Sequence, residues 1–207
     1  MAEFILYFTG GRPKETIKGR TLKEAIEAAH KNGFDFKGVY LTGANLSGAN
    51  LANADFSDAV LTECDFSHCY LGGASFKRAE IYDSYFDHIE AGLSHFEEAK
   101  IRKTSFLSAS LFSAYFASAY FYSSSFYSAD LSSADFCHVN AARSSFNSAN
   151  MDGATANYSR FIDCVFENAI FDQTSFGACD FARCAFKNNN KSGADFFDAK
   201  FIKTRLK

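Results

Sequence analysis

The chain has no tryptophan and a single proline, Pro13, in 207 residues. Neither charge sign prevails. The 24 acids and 21 bases leave a formal charge of −3, which excludes a strongly basic nucleic-acid binder but not a local basic patch. No run of about 18 apolar residues is present to span a membrane. The opening MAEFILYFTGGRPK lacks the basic n-region and long apolar stretch of a secretory signal. The expectation is therefore a cytoplasmic protein. No cysteine pair has C-x-x-C spacing, and no nucleophile motif, phosphate loop or acid–base pair is evident. These absences predict a non-catalytic chain without metal or cofactor. Disorder is excluded by 47% hydrophobic and 17% aromatic residues.

What the chain does have is phenylalanine, 25 copies of it, in one phase. From Phe36 a large apolar residue recurs every fifth position: Leu41, Leu46, Leu51, Phe56, Leu61, Phe66, and so on to Leu206. Of the 35 consecutive centres, 31 are Phe, Leu, Ile or Met, and 20 of those are Phe. Two residues before each centre stands a small residue, as at Ala44, Ala49, Ala54, Ala59, Cys64 and Cys69. Between them Asp, Asn or Ser is frequent, as at Asn45, Asn50, Asp55 and Asp65. A period of five suits neither a helix nor a strand. It suits a coil in which every unit sends one large and one small side chain inward. No unit buries its own centre, so stability comes from stacking coil on coil.

The pattern A-[DN]-[LF]-x-x, with its near-consensus run GANLSGANLANADF, resembles the pentapeptide-repeat family over residues 34–207. The resemblance implies an all-β solenoid, a right-handed quadrilateral β-helix with four units per coil. Its 35 units would make just under nine coils. At a spacing of about 4.8 Å the rod would be about 40 Å long. Residues 1–33 lack the repeat and are expected to form a small N-terminal α+β cap over the first coil. Glu3–Phe8 reads as a strand, Gly10-Gly11 as a turn, and Thr21–Asn32 as a helix with a Thr21/Glu24 capping box and Gly33 as its stop. At the other end Lys200, Lys203, Arg205 and Lys207 are expected to blunt the open edge. The dimer-building C-terminal helix of many relatives is not visible. End-to-end association into a homo-oligomer stays open, with no sequence feature that supports it.

Four centres break the rule: Ala91, Ala141, Ala156 and Lys191. A lysine has no place unpaired in an apolar interior, so a bulge or loosening is expected around Asn188–Lys191. Cys64, Cys69, Cys164, Cys179 and Cys184 fall at the inward small position and read as compact apolar groups, while Cys137 faces out. His68 and His88, twenty apart, should stack between neighbouring coils. With His30, His95 and His138 they read as solvated surface.

Two surface features are candidate sites. Sorting outward charges by a twenty-residue column gives one acidic edge, spread over two adjacent faces: Asp55, Asp58, Glu97, Glu98 and Asp135 on one, Glu90, Asp130, Asp152 and Asp172 on the other. The face of Leu41, Leu61 and Ile81 carries five acids and eight bases. The second feature is the charge-free window Thr104–Ala129. Leu107, Phe112, Tyr115, Tyr120, Tyr122 and Tyr127 form an outward aromatic belt there, amid nine serines. The first expectation is a rigid module for a protein partner, with no membrane and no direct nucleic-acid contact. The alternative comes from the resemblance. The family includes bacterial quinolone-resistance proteins, which implies a DNA-mimicking inhibitor or protector of a type II topoisomerase such as DNA gyrase. The absent dimer helix and the absence of any loop insertion are departures from that pattern.

Overall fold

The computed structural model describes residues 1–206. It opens with an antiparallel hairpin, β1 (Ala2–Phe8) and β2 (Glu15–Gly19), in which Ala2 faces Gly19 and Leu6 faces Glu15. The sequence predicts β1 but not β2. ETIKG offers one large inward side chain, Ile17, which is too little alternation to announce a strand. Helix α1 (Leu22–Lys31) follows, and Thr21 caps it by accepting the Glu24 amide at 3.2 Å. The reciprocal half of the capping box is displaced by one residue. The Glu24 carboxylate takes the Arg20 amide at 3.2 Å and its guanidinium at 2.8 Å. Ala25 and Ile26 bury the inner side of the helix.

From Phe36 onward the chain winds into a quadrilateral solenoid of about eight turns. One face, here the strand face, carries β3 (Val39–Thr42) and beneath it 60–62, 80–82 and each successor to 200–202, all parallel. Its register is twenty residues throughout: Leu41 over Leu61, Ile81, Ile101 and Phe121. The hairpin extends the same sheet, because Tyr7 and Phe8 of β1 pair antiparallel with Tyr40 and Val39. Gly38 makes that junction possible. It holds φ +71, and a Cβ there would collide with the Thr9 hydroxyl, whose amide donates to the Gly38 carbonyl at 2.7 Å. Helix α1 closes another side of the first coil with side chains. Lys23 donates to the Ser47 carbonyl, Glu27 accepts the Asn50 amide, and His30 meets the Ala52 carbonyl. Backbone groups that a preceding coil would have paired are satisfied in this way.

The interior is a set of ring stacks. Phe36, Phe56, Phe76 and Phe96 lie at 5.3, 5.4 and 4.9 Å, and Phe106, Phe126 and Phe146 at 4.8 and 5.1 Å. Columns from opposite faces meet edge to face, as for Phe66 and Phe76 at 6.0 Å. Ala91, Ala141 and Ala156 are buried without loss of register, with Phe121, Ala141 and Phe161 still directly superposed.

The expected bulge at Asn188–Lys191 is not there. Asn190 bridges Ile170, and the Phe171 amide reaches the Asn190 carbonyl at 2.8 Å. The Lys191 side chain turns outward, with its ammonium 5.9 Å from the centre of the Phe186 ring, and is exposed. Lys200, Lys203 and Arg205 are exposed on that coil, and Lys207 lies outside the described residues.

Corners come in two kinds. After three of the faces the backbone closes its own turn, as where Ala49 donates to Leu46 at 2.9 Å and Ala54 to Leu51 at 3.0 Å. After all four faces the second residue past the centre sits at positive φ, between +48 and +62 where it is not glycine, Ser118 among them at +62. After the strand face that backbone bond is missing. A column of small polar residues replaces it. Ser84 accepts the Cys64 amide at 3.0 Å, and Ser144 accepts the Ser124 amide at 3.2 Å. In the same column Cys64 donates to the Leu41 carbonyl, Ser124 to Ile101 and Cys184 to Phe161.

Candidate protein-binding faces

The column that begins at Asn45, Asn50 and Asp55 has a structural task. Each side-chain oxygen accepts the amide two residues on, Ser47, Ala52 and Ser57 respectively, and so braces the corner from outside. Three members of the acidic edge are used in this way. Asp55 binds the Ser57 amide at 2.8 Å, Asp130 the Ser132 amide at 3.1 Å and Asp135 the Cys137 amide at 2.8 Å. Two more have cations. Arg78 grips Asp58 with two bonds of 2.7 and 2.9 Å and Lys37 stands nearby, while Lys77 meets Glu97 at 3.1 Å. The Arg78 guanidinium holds the Asp58 carboxyl below the usual range. Glu90, Glu98, Asp130, Asp135, Asp152 and Asp172 have no ion-pair partner among the described residues. Glu90, Asp130, Asp152 and Asp172 share one face, centred on Leu51, Leu71, Ala91 and Leu111 and lying opposite the strand face.

The aromatic belt encircles the rod and is divided among four faces. Tyr115 stacks on His95 at 4.7 Å. Tyr120 and Tyr122 flank the buried Phe121 on the strand face. Arg102 lies over Tyr120 at 5.4 Å, and Arg143 donates to the Tyr122 hydroxyl at 2.8 Å. Leu107 and Tyr127 share the face of Phe106 and Phe126, whereas Phe112 sits on the acid face with its ring over Gly92. A rigid partner docked on one face would meet only part of this belt. On the strand face three ion pairs link neighbouring coils: Lys100 with Glu80, Lys103 with Asp83 and Arg183 with Asp163. Lys100 and Arg183 pull the carboxyls of Glu80 and Asp163 down.

The five inward cysteines are buried, and each donates its S–H to a carbonyl, Cys69 to Leu46 and Cys179 to Ala156 among them. They are therefore hydrogen-bonding members of the corners as well as the compact fillers that the sequence predicts. Burial pushes the Cys64 and Cys69 thiols up to about 11 and Cys179 to about 12, so all three are neutral at physiological pH. His68 and His88 stack as expected, with centroids 5.0 Å apart. No group of three or more metal-ligating side chains comes together among the described residues.

A family model for pentapeptide repeats matches residues 32–58, 40–78, 54–88 and 129–168. The chain belongs to the pentapeptide-repeat family. Solved structures similar to this pentapeptide-repeat protein include one from the Arabidopsis thaliana thylakoid lumen, 26% identical over 45% of this chain and 66% of that one, with a TM-score of 0.44. HetL, a protein involved in heterocyst differentiation regulation from the cyanobacterium Nostoc, is 21% identical over 88% and 95% of the two chains, with a TM-score of 0.32. QnrB1, a plasmid-mediated fluoroquinolone resistance protein, is 20% identical over 78% and 91%, with a TM-score of 0.44. No curated protein matches it in sequence.

Two features of this pentapeptide-repeat protein escaped sequence reasoning. The corner column Cys64, Ser84, Thr104, Ser124, Ser144, Cys164, Cys184 and Thr204 is visible once the sequence is read at a period of twenty, and its polar character was the signal. The other is a glycine pair, Gly72 and Gly92, one residue past their centres. Neither has the positive φ that would call for glycine.

Proposed function

We propose that the chain is a non-catalytic rigid rod that binds a protein partner through its outer faces. The observation that carries this reading is the division of labour across the coil wall. Every fifth side chain is spent filling the interior, while Tyr70, Leu93, Phe112, Tyr127 and Tyr158 stand 46–66% exposed outside. Rigid aromatic surface on an unyielding backbone loses little entropy on binding. The test is photocrosslinking from the full chain in native lysate, with a photoreactive phenylalanine at Phe112, Tyr122, Tyr127 or Tyr158 in turn. The expected result is a discrete protein adduct from one or two adjacent faces. Adducts distributed evenly over all four positions, or none, would refute the reading.

The second reading, a DNA-like acidic rod acting on a type II topoisomerase, draws on Glu90, Asp130, Asp152 and Asp172, which lie on one face without counter-ions. Asp58 and Glu97 weaken it, because Arg78 and Lys77 neutralise them. A gyrase supercoiling assay decides the matter. Inhibition, or protection from a quinolone, supports it, and no effect at micromolar protein removes it.

A further inference from the structure

The acid face, opposite the strand face, carries a hollow of about 410 Å³ open to solvent and lined by Ala52, Tyr70, Gly72, Glu90, Gly92 and Phe112. Its floor is the column one residue past each centre, where Ala52, Gly72 and Gly92 succeed each other before Phe112. Gly72 has no backbone reason to be glycine. Its φ is ordinary, and a Cβ there would meet nothing closer than the Gly92 carbonyl at 3.8 Å. A Cβ therefore has room at Gly72, and a large side chain built on it would extend into the hollow. Gly92 differs, since a Cβ would strike the Phe112 ring, which lies against it and makes the lower wall. Tyr70 forms the side wall at 49% exposure and Phe112 is 46% exposed, so apolar surface is left uncovered around a floor without side chains. Leu93, at the adjoining corner, adds to the same patch at 51%.

Charge on the coil face beside the hollow has one sign, while α1 sets His30 against the Ala52 carbonyl at the upper rim of the hollow. Glu90 lines it, and Asp130, Asp152 and Asp172 continue down the same face. No base stands on that face before Lys191, at its far end. Neighbouring coils are about 4.8 Å apart, so the floor from Ala52 to Gly92 spans about 10 Å, enough for one large side chain and its flanking backbone.

We propose that this hollow is the docking site for a basic polypeptide segment carrying a single apolar anchor residue. The anchor sits over Gly72 between Tyr70 and Phe112, and Lys or Arg on the segment meets Glu90 and the aspartates below. This rests on the protein-binding rod and names its face and the chemistry of its partner. Contact of the apolar anchor fixes position, and the charges steer the approach and select against acidic segments.

The experiment is selection of a random-peptide phage library on the immobilised full chain, with each enriched peptide then titrated by fluorescence anisotropy against three variants. Enriched sequences are expected to place one Leu, Phe, Ile or Met among lysines and arginines. Gly72→Leu, which fills the hollow, and Glu90→Lys, which reverses its charge, should each weaken binding by about tenfold or more. Tyr122→Asp, on the opposite face, should leave it unchanged. Thermal melts of the variants within a few degrees of the parent show that Gly72→Leu is folded, as the open space above Gly72 allows. No enrichment, acidic peptides, or binding indifferent to Gly72→Leu overturns the proposal. So do basic peptides without an apolar residue that bind as well, which would mean charge alone is recognised. Peptides blocked by Tyr122→Asp but not by Gly72→Leu would leave the binding rod standing and remove this face.

Discussion

The strand face and the acid face lie on opposite sides of the same coils and use the same five-residue unit, yet their side chains are committed differently. On the strand face three residues per coil pair with the coil above, and the corner that follows cannot close its backbone turn. Ser84, Ser124, Ser144 and the thiols of Cys64 and Cys184 supply the missing bonds, and three ion pairs tie neighbouring coils together. On the acid face one bridge per coil suffices and the backbone closes the corner, as Ala74 does on Leu71 at 2.9 Å. Fewer outward side chains are needed for structure there, and the face carries uncompensated acids and a hollow. Where the backbone satisfies itself, the surface is free to be used for something else.

The core common to both faces gives the largest effect. Phe116→Ala removes a ring stacked between Phe96 and Phe136 and should cost about 3–5 kcal/mol in denaturant unfolding. Ser118→Ala, two residues on and exposed, should cost less than about 0.5 kcal/mol. Equal losses would contradict the assignment of inward and outward positions. The corner comparison is tested next. Ser84→Ala orphans the buried Cys64 amide and should cost about 1–3 kcal/mol. A Ser84→Ala protein as stable as the parent would show that the polar column is dispensable.

Smaller still is the αL corner on the self-closing side. Ser118→Gly relieves a side chain held at φ +62 and should leave stability level or raise it by up to about 1 kcal/mol. Thiol chemistry probes the polar corner without mutation. At pH 8 a thiol reagent should modify at most Cys137 in the folded chain and all six cysteines after guanidinium unfolding. Rapid native modification of more than one would mean that the coils open.

The finest test is the Arg78–Asp58 pair. Its carboxyl pKa is depressed in the folded state, so the stabilisation is present above the ordinary Asp pKa and is lost as pH falls through the depressed folded value. Carbon-detected NMR titration should find the Asp58 midpoint moving upward in Arg78→Gln. An unmoved midpoint would show that the pair does not form in solution.

Much of this architecture was legible in the residues themselves. The stacking of Phe106, Phe126 and Phe146, the burial of Cys64 and Cys179 and the His68–His88 pair all follow from one phase held over the repeat. Lys191 departs from the expected bulge because a long side chain at a centre can turn outward and lay its stem over a neighbouring ring, here Phe186. Asp55, Asp130 and Asp135 looked like free surface charge, because an outward side chain shows nothing in sequence of the amide it will accept.

The five-residue period by itself determined which side chains point inward and that coils must be stacked, since inward direction is set by local backbone geometry and the burial of large apolar groups. The tertiary structure alone decided which corner needs a hydroxyl, which acids find a cation and where Gly72 leaves a hollow. Those outcomes depend on groups twenty residues apart meeting across a coil boundary, and no local rule specifies them.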